Sequence, residues 1–249
     1  MPRYFLEISY RGTNYSGFQV QENANTIQAE VEKALAVLYR QSFQLTGSSR
    51  TDAGVHALQN YFHFDTELLL DARQLYNLNS ILPPDIAANN LFPVSPNTHC
   101  RFDALSREYK YYITRKKNPF LQSICYHYPY PLNIEALQKL AAIIPEYSEF
   151  TSFSKKNSDV KTFTCNIFFS QWRIEDECYV FYITANRFLR GMIRGLIATM
   201  LKVTKGRYAE KEFRQIIESN NNNQADFTAP PHGLFLVSVK FPGDYFKIE

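Results

Sequence analysis

Twice along the chain the hydrophobic period switches between that of a strand and that of a helix in the same order, and this recurrence limits the fold more than any single residue. Arg3 to Tyr10 combines β-branched and aromatic residues with Glu7 and Ser9, as a sheet strand with a well-packed face does. Ile27, Val31, Leu35 and Leu38 then share one helical face, and Asn25 followed by Gln28 predicts a capping box at the start of a helix reaching about Arg40. Phe43 to Thr46 and Val55 to Phe64 read as strands joined by the polar loop Gly47 to Gly54. A second helix is expected from Asp71, a good N-cap, to Leu82, where Pro83 and Pro84 stop it before a strand ending near Val94.

The order returns from Arg107. A strand to Thr114, a helix from Asn133 to Ile144, and strands Thr162 to Trp172 and Tyr179 to Thr184 precede the most apolar helix, Phe188 to Leu201. Arg187, Arg190 and Arg194 are expected on the polar side of that helix. A short helix near Tyr208 to Glu218 and a closing strand Leu234 to Phe241 complete the pattern. The chain therefore reads as α+β, with two ferredoxin-like βαββαβ halves, residues 1–104 and 105–249, whose largely antiparallel sheets meet at a central active-site cleft.

Composition narrows the function classes without choosing one. A net charge of +3 permits a polyanionic partner but does not require it. Cys100, Cys125, Cys165 and Cys178 form no CxxC pair and show no histidine at metal-ligand spacing, so neither a zinc site nor a disulfide framework is expected. No apolar run nears the ~18 residues of a membrane helix, and the expectation is a cytoplasmic chain that does not engage a membrane.

One stretch is chemically loaded: TGSSRTDAGVHAL, Thr46 to Leu58, where small residues surround Arg50 and Asp52 in a loop between strands. Gly47 and Gly54 permit backbone conformations that let another segment approach Asp52 closely. Read alone, Asp-Ala-Gly is a hairpin turn before it is a catalytic site, since Asp and Gly are standard turn residues. The whole stretch, however, resembles the catalytic motif of the TruA-type tRNA pseudouridine synthases. The resemblance extends through YRGTNYSGFQVQ (Tyr10 to Gln21), TIQAEVEKAL (Thr26 to Leu35), NSILPPDIA (Asn79 to Ala87), SREYKYYI (Ser106 to Ile113), EFTSFSK, ANRFLRGMIR and HGLFLVSV. Arg11 and Phe18 depart from the family pattern, which usually has Asp and Trp there, as do Ser48 and Ser49.

The resemblance implies a pseudouridine synthase fold and isomerisation of uridine to pseudouridine in tRNA, at neighbouring uridines on the 3′ side of the anticodon stem-loop. It implies a homodimer that binds tRNA and needs neither cofactor nor metal. Asp52 matches the catalytic aspartate and Arg194 the arginine that pairs with it. Tyr109 matches the tyrosine that stacks on the target base, with Tyr111 and Tyr112 as packing residues. Arg50 resembles the arginine that helps extrude the nucleotide. Thr51 and His56 complete the expected substrate-binding set, His56 as a residue that shapes the loop. Arg115, Lys116, Lys117, Lys155, Lys156, Lys161, Lys202, Lys205 and Arg207 are candidates for contacts with the RNA backbone. A hydrolase of nucleosides would need a second carboxylate, for which the nearby sequence offers Asp65 and Glu108.

Overall fold

The computed structural model describes residues 1–155, 160–206, 209–243 and 245–246. It divides into two compact units, Met1–Arg107 with Phe235–Glu249, and Glu108–Leu234.

In the first unit, β1 (Arg3–Tyr10), α1 (Ile27–Tyr39), β2 (Thr46–Gly47), β3 (His56–Asp65), α2 (Leu75–Ile81) and β4 (Ile86–Val94) follow in chain order. β1 lies between β4 and β3 and runs antiparallel to both. Tyr4, Leu6, Ile8 and Tyr10 alternate along β1 and are all buried, while Phe5, on the opposite face, packs against the rings of Phe241, Tyr245 and Phe246. α1 buries Ile27, Val31, Ala34 and Leu35, a 3.6-period stripe. Its cap is Thr26, whose hydroxyl accepts from Ala29 N–H, and not Asn25. The predicted partner Gln28 instead turns its amide to Glu32 and to the Leu45 carbonyl. Asp71 does form a capping box with Gln74, but the turn it starts, Ala72–Gln74, is a 3-10 turn leading into α2.

The second unit contains β5 (Ser106–Thr114) from Glu108 on, β6 (Tyr126–His127), α3 (Ile134–Ile143), β7 (Ile167–Glu175), β8 (Cys178–Ala185), α4 (Met192–Val203) and α5 (Ala209–Glu218). β8 lies between β5 and β7 and is antiparallel to β7, with the short β6 parallel to β5. α3 packs on β7, and α5 packs on both α3 and α4. α4 is buried along almost its whole length, as its apolar composition requires. It begins four residues later than its apolar run, because Gly191 adopts φ +73 and breaks the turn. Arg187 and Arg190 therefore belong to the segment leading into α4, and only Arg194 of the three sits on the helix.

The closing strand β9 (Leu234–Lys240) has its first residue in the second unit and the rest in the first. There it pairs in parallel with β3, His56 opposite Phe235 and Ala57 opposite Leu236. The result is a mixed α+β protein whose pairings are mostly antiparallel. Among the described residues no helix is long and apolar enough to cross a membrane.

Candidate active site

The loop from Gly47 to Gly54 connects β2 to β3 in the first unit. Ser48, Ser49 and Thr51 are buried, Arg50 is exposed and Asp52 is half-buried. The Asp52 carbonyl accepts from Val55 N–H at 3.2 Å, and Gly54 at φ +78 completes this turn. The carboxylate is thus carried at a turn whose backbone is fixed before β3 begins.

Three contacts from the segment after β1 hold the outer side of the loop. Phe18 N–H donates to the Thr51 carbonyl at 3.1 Å. Gly17, at φ +108, lies so close that an added Cβ would come 3.1 Å from the Thr51 carbonyl oxygen. Gly12 N–H donates to His56 Nδ1 at 3.0 Å. Phe18 keeps its ring stacked on Phe62 at 4.7 Å and fills the space that a side chain at Gly47 would need. The ring at this departure from the family pattern is therefore a packing group.

From below, Asn60 and Tyr10 hold the loop. Asn60 is fully buried and its amide is saturated: Oδ1 accepts from Ser48 Oγ (2.8 Å) and Tyr61 N–H (2.9 Å), while Nδ2 donates to the Ser49 carbonyl (2.9 Å) and Tyr10 Oη (3.2 Å). Tyr10 Oη lies 2.8 Å from Thr51 Oγ1. Burial raises the Tyr10 phenol far above its ordinary value, so it stays a neutral hydroxyl that shares a hydrogen bond with Thr51. This network was not found by the sequence reading. Its only local signal is the alternation that puts Tyr10 on the same face as Ile8, the residue Asn60 opposes.

Thr51 and His56, expected to contact substrate, both turn inward. Thr51 is 8% exposed and His56 is 0% exposed, the latter with its ring 4.6 Å from that of Phe235. Their geometry supports the loop from behind. Arg50 is the outward-facing cation of the motif.

In the second unit, Tyr109 lies on β5 with its ring edge-on to Phe188, centroids 5.2 Å apart. Tyr111 is fully buried and donates to the Pro230 carbonyl at 2.8 Å, the packing role expected of it. Arg194, in the first turn of α4, donates from Nε to the Ala229 carbonyl at 2.7 Å, which fixes the direction of its guanidinium. Of the candidate RNA-contacting cations, Lys116 pairs with Glu177 at 3.0 Å. Lys205 lies over the rings of Tyr128 and Tyr130, and Lys155 packs its stem against Gly191. Lys156 and Arg207 lie outside the described residues.

Asp65, the possible second carboxylate, is bidentate to Arg3, both contacts 2.7 Å, which holds its carboxyl below the usual range. The expectation that no cysteine has a histidine partner is corrected by the fold. His63, His99 and Cys100 bring potential ligand atoms within 4.8 Å of one another, because β3 delivers His63 from 37 residues away. Cys100 Sγ donates to the Thr46 carbonyl at 3.1 Å, and His99 Nδ1 accepts from Arg101 N–H at 3.1 Å. Burial pushes the Cys100 thiol up to about 12 and holds the His63 imidazole down at about 4, so both are neutral and hydrogen-bonded here.

A family model described as tRNA pseudouridine synthase matches residues 8–103 and 148–242. The tRNA pseudouridine synthase A of Parabacteroides distasonis is 43% identical over 254 residues, spanning 100% of both chains. That of Bacteroides fragilis is 44% identical over 248 residues, 98% of each chain. The enzyme of the same name from Staphylococcus aureus strain bovine RF122 is 35% identical over 240 residues, 95% of this chain and 90% of its own. A match of this extent, running through the anchored Asp52 loop, establishes that the chain belongs to the tRNA pseudouridine synthase family of isomerases.

Proposed function

We propose that this protein isomerises uridine to pseudouridine in tRNA, at neighbouring uridines on the 3′ side of the anticodon stem-loop, with Asp52 as its catalytic carboxylate. The observation that carries this reading is the loop itself: a half-buried carboxylate next to an exposed arginine, on a backbone tied down from both sides. Isomerisation breaks the N1–C1′ bond, turns the uracil and joins C5 to C1′. The proton lost from C5 balances the one gained at N1, so no electrons or groups are exchanged with a co-reactant. What the reaction demands of the protein is a positioned anion and a flipped base held in orientation.

Asp52 supplies the anion, as nucleophile or as base. Arg194 is the supporting cation that favours a charged carboxylate, and Tyr109 offers a ring face for the base. Arg50, outward-facing, contacts phosphate or occupies the place the nucleotide vacates. Thr51 and His56 act through the loop they brace. The protein works as a homodimer in the cytoplasm. A nucleoside hydrolase would need a second carboxylate, and of the two candidates Asp65 is committed to Arg3, which leaves only Glu108 for that reading.

The test is incubation with unmodified tRNA transcripts, with pseudouridine mapped by chemical adduct formation and primer extension. Asp52→Asn is run in parallel. Pseudouridine confined to the anticodon stem-loop and absent from the variant is expected, with a two-subunit mass by sedimentation. Tight tRNA binding without modification by the unaltered protein would instead make it a non-catalytic RNA-binding protein.

A further inference from the structure

Asp52 and Arg50 are presented by a backbone, and the groups that fix that backbone lie on two neighbouring strands. Asn60 on β3 takes up Ser48 and Ser49, and Tyr10 on β1 takes up Thr51. Together they hold residues on both sides of Arg50 and the residue immediately before Asp52. The β1–β3 register slips between Ile8 and Tyr10, so that Ile8 opposes Asn60 while Tyr10 opposes Ala57. This bulge sits beside the loop, where such irregularities re-aim side chains, and it brings Tyr10 Oη within 3.2 Å of Asn60 Nδ2. Each polar side-chain atom of the pair has a partner, so the network holds the loop without an unsatisfied buried group.

We infer that Tyr10 and Asn60 are positioning residues for the reaction, setting the direction of Asp52 and Arg50 through the backbone of Ser48 to Thr51 without touching substrate. This rests on Asp52 being the catalytic carboxylate. A positioning role predicts a particular pattern. Removing the Tyr10 hydroxyl leaves the fold and the RNA-binding surface in place but frees the loop, so turnover falls while affinity for tRNA stays.

Tyr4 supplies the matched control. It lies on the same strand, has the same 4% exposure and uses its hydroxyl for two hydrogen bonds, with the Leu68 carbonyl and Leu70 N–H, at the other end of β1. Tyr4→Phe and Tyr10→Phe thus remove the same atom from equally buried sites of one strand.

The experiment compares the two variants by thermal unfolding, by steady-state pseudouridine formation on tRNA, and by limited trypsin digestion at the exposed Arg50. For Tyr10→Phe the expected result is a roughly tenfold lower kcat with KM for tRNA within about twofold, as loss of the two buried hydrogen bonds of its hydroxyl at a positioned group gives. Cleavage after Arg50 should also be several-fold faster. Tyr4→Phe should match it in melting temperature and show neither effect. Asn60→Ala, which removes both donors and the acceptor without adding a charge, should lower kcat and speed cleavage after Arg50 at least as much as Tyr10→Phe. Unchanged kcat, or unchanged cleavage at Arg50, in Tyr10→Phe would overturn the inference, as would equal kcat losses in Tyr4→Phe and Tyr10→Phe. If the unaltered protein forms no pseudouridine the functional reading fails, and digestion at Arg50 then decides the loop anchor by itself.

Discussion

Replacing Gly12 by alanine tests how tightly the loop that carries Asp52 is built. A Cβ at this position would stand 2.0 Å from the Val55 carbonyl oxygen and 2.8 Å from its carbon, and both are backbone atoms that cannot rotate away. Relief to even a 3.0 Å contact asks for a displacement of about 1 Å. If the Gly12 side moves, its N–H leaves His56 Nδ1. If Val55 moves, it drags the Asp52 turn, because Val55 N–H is bonded to the Asp52 carbonyl. Overpacking of this kind costs about 1–3 kcal/mol, which for a chain of this size lowers the melting temperature by about 5 °C. The catalytic effect is expected to be larger, since a 1 Å misplacement of a reacting group costs on the order of 100-fold in rate. Single-turnover pseudouridine formation, tRNA affinity and thermal unfolding are measured on Gly12→Ala, with Gly243→Ala as control because an added Cβ there meets nothing within 4 Å. A folded Gly12→Ala protein turning over within about threefold of the unaltered one would refute the claim that this contact sets the position of Asp52.

Asp52→Asn keeps the size of the side chain and removes its charge, so turnover should vanish while tRNA affinity, measured by filter binding, stays within about threefold; residual turnover above ~1% would count against Asp52 as the reacting group. Arg194→Ala removes the 2.7 Å bond to the Ala229 carbonyl and the charge together, and is expected to lower the melting temperature by a few degrees and turnover by on the order of 100-fold, with Arg194→Lys restoring only part of the rate; full activity in Arg194→Ala would exclude it from the site. Burial, with help from His99 and Arg3 and against Asp65 and Asp103, holds folded His63 at about 4, below the ordinary imidazole value near 6.5. The unfolded chain therefore takes up the proton first. The stability this neutral histidine confers is complete above pH 6.5 and is lost as pH falls from 6.5 towards 4, by on the order of 2 kcal/mol. Urea titrations across that range should show the loss in the unaltered protein and a flatter profile in His63→Gln, and parallel profiles would remove His63 as the cause.

What the sequence showed plainly was whatever depends on neighbours in the chain. β1 has the bounds its alternation predicts, Arg3–Tyr10, and α1 and α3 follow their apolar stripes to within a few residues. Where the reading missed, a distant or backbone-level contact decided. Periodicity runs through Phe188 to Leu201, yet α4 starts at Met192, because the positive φ of Gly191 interrupts a pattern that hydrophobicity cannot register. Phe43 and Leu45 are buried as strand residues would be, but only Thr46–Gly47 finds a partner in β3, so the apolar run packs without extending the sheet. Leu234–Lys240 reads as a strand from either half, and its pairing with β3 is information held by β3.

The same division applies to the site. Asp52 and Arg50 are proposed as site residues because a motif announces them, whereas Tyr10 and Asn60 look like an ordinary strand tyrosine and an ordinary strand amide. Their significance arises from being 50 residues apart and hydrogen-bonded. A side chain whose every polar atom is matched by a distant partner is the kind that single-sequence reasoning passes over. On the proposed reading of Asp52, whose carboxylate would have to be held within a fraction of an ångström, such side chains are the ones that would convert a motif into a geometry. It follows that transferring Thr46 to Leu58 to another β-hairpin, with Tyr10 and Asn60 left behind, would transfer the residues of the site without its arrangement.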